Sequence, residues 1–270
     1  MLNEGQVVGV LTRGGAKPQA SAVTFEYDGV TRSVVDAIQE FEPDVVVHLA
    51  SKYLAAHASE DIETLIDSNI LLGVQLLEGM SKAKVPWLVN FGTSFQHYTG
   101  GDYNPVSLYA ATKQAFEDLA RYYVEANGMS MVTLKLSDTY GPEDPRGKIM
   151  ALLERVGRSG EPLALSPGEQ SVNFVHVNDV IQAVNVAIAR LTAGPRSKME
   201  SFAVRGEELL TLRAFVTLFE DVSGYQIKAQ WGARSYRARE VMDPWLGDLL
   251  PGWRQRISLR EGMMQLVGHV

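Results

Sequence analysis

An α/β fold, a doubly wound parallel sheet followed by a smaller C-terminal lobe, is predicted by three features of this 270-residue sequence. Short apolar runs alternate with amphipathic stretches of helix length as far as Gly141-Pro142, the rhythm of βαβ units. Pro43-Asp-Val-Val-Val-His-Leu-Ala50 is apolar at consecutive positions, as in a strand covered on both faces. Beyond Pro142 the alternation gives way to short strands, helical stretches and Arg/Trp-rich loops, which marks most of a second lobe.

Met1 to Gly5 reads as the last turn of a helix closed by a C′ glycine. Gln6 to Thr12 reads as a strand, Arg13-Gly14-Gly15 as a turn, Ala22 to Phe25 as a second short strand, and Thr31 to Phe41 as an amphipathic helix. After the strand at 43–50, residues 59–83 hold one long helix with apolar Ile62, Leu65, Ile66, Ile70, Leu71, Val74 and Leu77. Val85 to Phe91 is a buried strand, and a helix starts near Pro105 or Ser107, runs to Ala126 and is closed by Gly128. Met131 to Leu136 is a further strand. A helix at 148–158, a Gly/Pro loop at 160–169, a strand at Phe174 to Val177 and a helix at Val180 to Leu191 follow. The expected division is residues 1–141 with 174–199 for one domain, and 142–173 with 200–270 for the smaller lobe.

Composition narrows the function. A net charge of −7 argues against nucleic acid as main partner, because backbone phosphate needs a basic face. The absence of cysteine excludes disulfides, thiolate metal sites and a cysteine nucleophile. The five histidines contain no i,i+4 pair, so no metal is expected. No apolar run approaches the roughly 20 residues that span a bilayer, and no segment reads as a signal peptide. These features point to the cytoplasm.

Tyr109 and Lys113 stand four residues apart near the start of a helix, so their side chains share one face. An ammonium beside a phenol favours the phenolate and makes proton exchange easier near neutral pH. Ser94, delivered with Thr93 by the end of the 85–91 strand, is placed to hold a carbonyl or alcohol oxygen. Tyr-x-x-x-Lys alone is a weak motif. Its neighbours in the chain make it specific.

Those neighbours are Pro43-Asp-Val-Val-Val-His-Leu-Ala50, Asn69, Thr93-Ser94, Asp138-Thr-Tyr-Gly-Pro142 and Phe174-Val-His-Val-Asn-Asp179. In this order, and over nearly the whole chain, the sequence resembles the extended short-chain dehydrogenase/reductase family, within it the nucleotide-sugar epimerases and 4-ketoreductases. Phe95-Gln-His-Tyr98 with Leu108 to Phe116 is most similar to reductases that make 3,6-dideoxyhexoses on CDP. The resemblance implies a Rossmann-type sheet, Tyr109 as general acid/base, Ser94 orienting the carbonyl, and Lys113 lowering the tyrosine pKa and binding the nicotinamide ribose. It places Leu49, Ala50 and Ser51 along the cofactor and gives Asn69 the role of pinning the catalytic strand or a water. Substrate contacts are implied for Thr93, Ser94, Phe95 and Asp138. Asp138 departs from the asparagine usual in sugar-nucleotide members.

Arg146 with Lys148 is either a phosphate contact or a solvated pair, and Tyr236-Arg-Ala-Arg-Glu240, with Arg239, is a second possible phosphate site. Thr12-Arg13 carries no carboxylate for a ribose 2′-hydroxyl, so NADP(H) is favoured over NAD(H), with Arg13 on the 2′-phosphate. The alternative for Arg13 is an exposed turn residue. Relatives dimerise through the helices bearing Tyr109 and Asn69, which implies a homodimer.

The main departure is at the start. The family's first strand and glycine-rich turn have no counterpart, and no G-x-G occurs anywhere. The expectation is a late assigned start or a fragment that binds NADP(H) poorly. The implied reaction is reduction of the C4 keto group of an NDP-4-keto-6-deoxy sugar. NDP-sugar epimerisation and a catalytically silent member are the alternatives. A 4,6-dehydratase is disfavoured because Phe95-Gln96 replaces its acids.

Overall fold

A computed structural model describes residues 5–14, 21–142, 144 and 146–268. The helix end expected at residues 1–5 lies outside them except for Gly5, whose φ of 77° is the left-handed value expected of a C′ glycine. The turn at 13–15 is described only to Gly14.

In chain order, β1 (Gly9–Arg13) and β2 (Val23–Tyr27) pair in parallel, Arg13 opposite Tyr27. α1 (Thr31–Phe41) buries Val34, Val35, Ala37 and Ile38 and stops at Glu42, φ 50°. β3 (Val45–His48) follows. The long helix expected at 59–83 is segmented: a 3₁₀ turn at Ser59–Asp61, α2 (Ile62–Ile66), a π-helical turn at Asp67–Leu71, then α3 (Leu72–Ala83). Residue periodicity does not register this break, because a π turn inserts one residue and leaves both flanking apolar faces intact.

β4 (Trp87–Thr93) pairs in parallel with β3 and is buried along almost its whole length. α4 (Leu108–Asn127), β5 (Ser130–Leu136), β6 (Asp138–Tyr140) and α5 (Ile149–Ser159) come next. The expected loop at 160–169 contains β7 (Leu163–Ala164), and β8 (Ser171–Val172) precedes β9 (Phe174–His176). α6 (Val177–Ala193) begins three residues earlier than the sequence predicts. His176 Nδ1 accepts from the Asn178 amide at 3.2 Å and turns the chain out of β9 there. β10 (Met199–Val204), β11 (Leu210–Thr211), α7 (Leu212–Ser223), β12 (Ala229–Gln230) and α8 (Leu259–Val267) complete the chain.

The largest sheet has the order β10-β5-β4-β3, while β1-β2 forms a separate parallel pair. Among the described residues, β1 has no strand partner on the edge away from β2, and β3 has none on the edge away from β4. These strands are therefore present as two separate sheets.

Two compact units divide the chain: Met1–Asn90, Ala111–Thr133 and Ile188–Glu200 form one, and Phe91–Ala110, Leu134–Ala187 and Ser201–Val270 the other. Each has its own core. In the first, Val34, Ile38, Leu77, Met80, Leu88, Phe116, Val124 and Met131 pack together. In the second, Tyr140, Leu153, Phe174, Phe215, Phe219 and Met263 do so. Among the described residues no helix is long and apolar enough to cross a membrane.

Candidate active site

The turn after β4 is built from its own side chains. Thr93 Oγ1 accepts from the Phe95 amide at 3.3 Å, and Gln96 Oε1 accepts from the Thr93 amide at 3.0 Å. Gln96 is fully buried, so this residue is the support of the turn that presents Ser94. The following loop is laced back onto that turn: Val106 N donates to Phe95 O at 2.9 Å, Asn104 N to Gln96 O at 2.9 Å, and Tyr98 N to Asn104 O at 2.8 Å. Ser107 Oγ accepts from the Ala110 amide at 3.4 Å and caps α4. Ser94 and Tyr109 therefore stand at the two ends of one cross-linked segment, Tyr109 in the first turn of its helix.

Lys113, one turn further along α4, is 1% exposed. Burial pulls its ammonium down to about 8, and the Glu117 carboxylate pulls the other way. His48, at the end of β3, is buried with Nε2 lacking a hydrogen-bond partner and lies edge-on to Phe116. Desolvation, then the Lys113 charge, depresses it to about 3, so His48 is neutral at any working pH.

Asn69 lies in the π turn and is fully buried. Its Oδ1 accepts from Ser51 Oγ at 3.1 Å and from the Lys52 amide at 2.7 Å; its Nδ2 donates to Lys52 O at 3.0 Å and Thr112 Oγ1 at 2.9 Å. Asn69 was expected to pin the catalytic strand or a water, and to belong with the cofactor contacts. Its four hydrogen bonds tie the loop at 51–52 to α4. Leu49, Ala50 and Ser51 are exposed at the end of β3, Leu49 by 65%. Thr12 and Arg13 end β1, and an Arg13 Nη2 donates to Ser68 Oγ at 3.2 Å.

Thr93 is buried while Ser94 and Phe95 are half-buried. Asp138 accepts from Lys148 Nζ at 2.8 Å, so the residue standing for an asparagine carries its own counter-charge. Arg146 grips Asp144 with two nitrogens at 2.6 and 2.7 Å and donates to Thr139 O at 3.1 Å. Tyr109 lies within its electrostatic reach. Arg239 is held over the Tyr98 ring at 4.2 Å and bonds Asn104.

A cluster beside this loop was not foreseen. Lys135 Nζ donates to His97 Nε2 at 2.9 Å, which leaves the His97 ring proton on Nδ1, 2.9 Å from Gly101 O. His97 stacks on Trp245 at 4.2 Å. Burial, then Lys135, lowers the His97 pKa. The one sequence signal was a lysine inside the otherwise apolar strand of residues 131–136. Among the described residues no group of three or more His, Asp or Glu is placed to hold a metal.

Tyr109 and the buried Lys113 stand one helical turn apart on α4, and Ser94 follows the end of a parallel strand in a Rossmann-type fold. The chain belongs to the NAD dependent epimerase/dehydratase family, whose model matches residues 1–200. Among characterised relatives, it is 27% identical over 213 residues to CDP-abequose synthase of Yersinia pseudotuberculosis, covering 78% of this chain and 73% of that one. It is 22% identical over 228 residues to the Salmonella typhimurium enzyme of the same name, covering 82% and 75%. Its fold matches UDP-glucose 4-epimerase of Thermotoga maritima, solved with UDP-glucose, at TM-score 0.87 and 21% identity over 99% of this chain and 92% of that one. The Thermus thermophilus UDP-glucose 4-epimerase, solved with NAD, matches at TM-score 0.80 and 26% identity with the same coverage.

Proposed function

We propose that this enzyme reduces the C4 keto group of an NDP-4-keto-6-deoxy sugar with NADP(H), Tyr109 giving the proton. The observation that carries the reading is the Tyr109–Lys113 spacing on α4, with Lys113 buried and Ser94 on the segment laced to the same helix start. Residues 1–141 with 174–199 serve the cofactor, and 142–173 with 200–270 serve the substrate.

The residues present suit a nicotinamide dinucleotide. An exposed Leu49 beside exposed Ala50 offers an apolar strip at a parallel strand's end, where ligands of such sheets bind. Arg13, at the end of β1 with no carboxylate in Thr12-Arg13, supports NADP(H) over NAD(H). A nicotinamide dinucleotide held there would supply the hydride for C4. Ser94 donates a hydrogen bond to the C4 oxygen, the Tyr109 hydroxyl transfers its proton to the forming alkoxide, and the Lys113 ammonium stabilises the phenolate left behind. Arg146 and the Asp138–Lys148 pair face the sugar nucleotide, with Thr93 and Phe95 shaping the turn and Arg239 held near it. Exposed Ile62, Ile66, Leu71, Leu119 and Tyr122 on α2, the π turn and α4 support a homodimer.

Epimerisation of an NDP-sugar is the second reading, favoured by the likeness to UDP-glucose 4-epimerases. The same Ser, Tyr and Lys serve both. Stoichiometry separates them: with NADPH and a 4-keto sugar nucleotide, one NADPH consumed per product supports reduction. Conversion without net NADPH loss supports epimerisation.

A further inference from the structure

Residues 231–258, between β12 and α8, contain no helix or strand, only the Leu249–Ala203 bridge. Stretches beyond about 12–15 residues without regular structure are uncommon in compact domains and usually have a task. This one is firmly placed. Arg234 N donates to Leu165 O at 3.0 Å, and Met242 O accepts from Ser171 N at 2.8 Å. Leu246 O accepts from Arg205 Nε at 2.7 Å, and Asp248 O from Ala203 N at 2.7 Å. These bonds pin the segment beside β7, β8 and β10.

Two of its side chains turn onto the loop that follows Ser94. The Arg239 guanidinium lies over the Tyr98 ring at 4.2 Å and donates to Asn104 Oδ1. The Trp245 indole stacks on His97 at 4.2 Å, 13° from parallel. It also lies against Gly247, whose φ is 45° and where no Cβ would clear the indole. The backbone there is shaped around the ring. Trp245 is half-buried and Arg239 exposed, so filling a core is not what either is for. Their partners lead directly to the candidate site. His97 N donates to Ser94 O at 3.0 Å and closes the 3₁₀ turn at Ser94–Gln96. One ring stack and one hydrogen bond thus separate Trp245 from Ser94. All these residues belong to the second compact unit.

We propose that Trp245 and Arg239 are positioning residues, through which the 231–258 segment grips the loop at 97–104 and fixes the turn that presents Ser94. This rests on the reading of Ser94 as the residue that orients the substrate carbonyl. A reacting group misplaced by about 1 Å costs on the order of 10²-fold in rate, so release of the grip reads out in kcat rather than in KM.

The test combines amide hydrogen exchange with steady-state kinetics. Trp245→Ala is expected to speed exchange at the His97, Asn104 and Val106 amides, to lower kcat about ten- to one hundred-fold and to leave KM nearly unchanged. Trp245→Phe, which keeps a ring over His97, recovers most of the rate. In a Ser94→Ala background Trp245→Ala adds little further loss, because both act through one hydroxyl. A folded Trp245→Ala with unchanged loop exchange overturns the proposal, and so do losses that multiply in full. Should that variant not fold, Arg239→Ala carries the test: exchange at the Tyr98 and Asn104 amides must quicken, and unchanged exchange overturns the proposal. If wild type oxidises no NADPH with 4-keto sugar nucleotides, the exchange result still decides the grip, and the reductase reading alone falls.

Discussion

In the proposed reading, Arg13 is the residue on which cofactor choice turns. It ends β1 and reaches Ser68 at 3.2 Å, a single neutral contact that a phosphate would outcompete. Arg13→Ala should raise the Kd for NADPH about ten-fold, the scale of one lost charge-assisted contact, and leave NADH binding within two- to three-fold, both read by fluorescence titration. Equal losses for the two cofactors would remove Arg13 from 2′-phosphate recognition. The places of Tyr109 and Lys113 on one helix and of Ser94 after a strand were legible from sequence because they depend on short spacings and strand ends. Gln96 was not: Phe95-Gln96 read only as missing acids, while the structure gives Gln96 the task of closing the turn through the Thr93 amide. Its partner lies three residues away, but nothing in a glutamine's identity announces burial.

At the scale of elements, β3, α1, β4 and α4 were readable from apolar runs and helical spacing, and their bounds differ from expectation by a few residues. The break inside residues 59–83 was hidden, since its cause is a long-range contact. Asn69 reaches Lys52 and Thr112, 17 and 43 positions away, and the π turn rotates it inward to do so. Asn69→Ala removes four hydrogen bonds and strands the Lys52 amide. A loss of about 1–3 kcal/mol is expected in urea unfolding, with faster hydrogen exchange at the Lys52 amide. Unchanged stability and exchange would mean that the loop at 51–52 is held by something else. The Lys135–His97–Trp245 cluster escaped for the same reason, its members coming from three separate stretches of chain.

For the whole molecule, family membership fixes the class of chemistry, and the ordered site narrows it. Strands β1, β3, β4 and β5 were legible as apolar runs. The two separate cores were not, since core assignment depends on which segments return to which unit, as residues 111–133 and 188–200 do. The central claim is hydride transfer from NADPH to C4 with Tyr109 as proton donor. Its most direct test supplies NADPH deuterated at the transferable position of nicotinamide C4, together with a CDP-4-keto-6-deoxy sugar, and reads the product by mass spectrometry and NMR. The account predicts one deuterium at C4 for each NADPH oxidised, and a rate about 10²–10⁴-fold lower in Tyr109→Phe. A sugar changed at C4 with no deuterium gained and no NADPH consumed would contradict it.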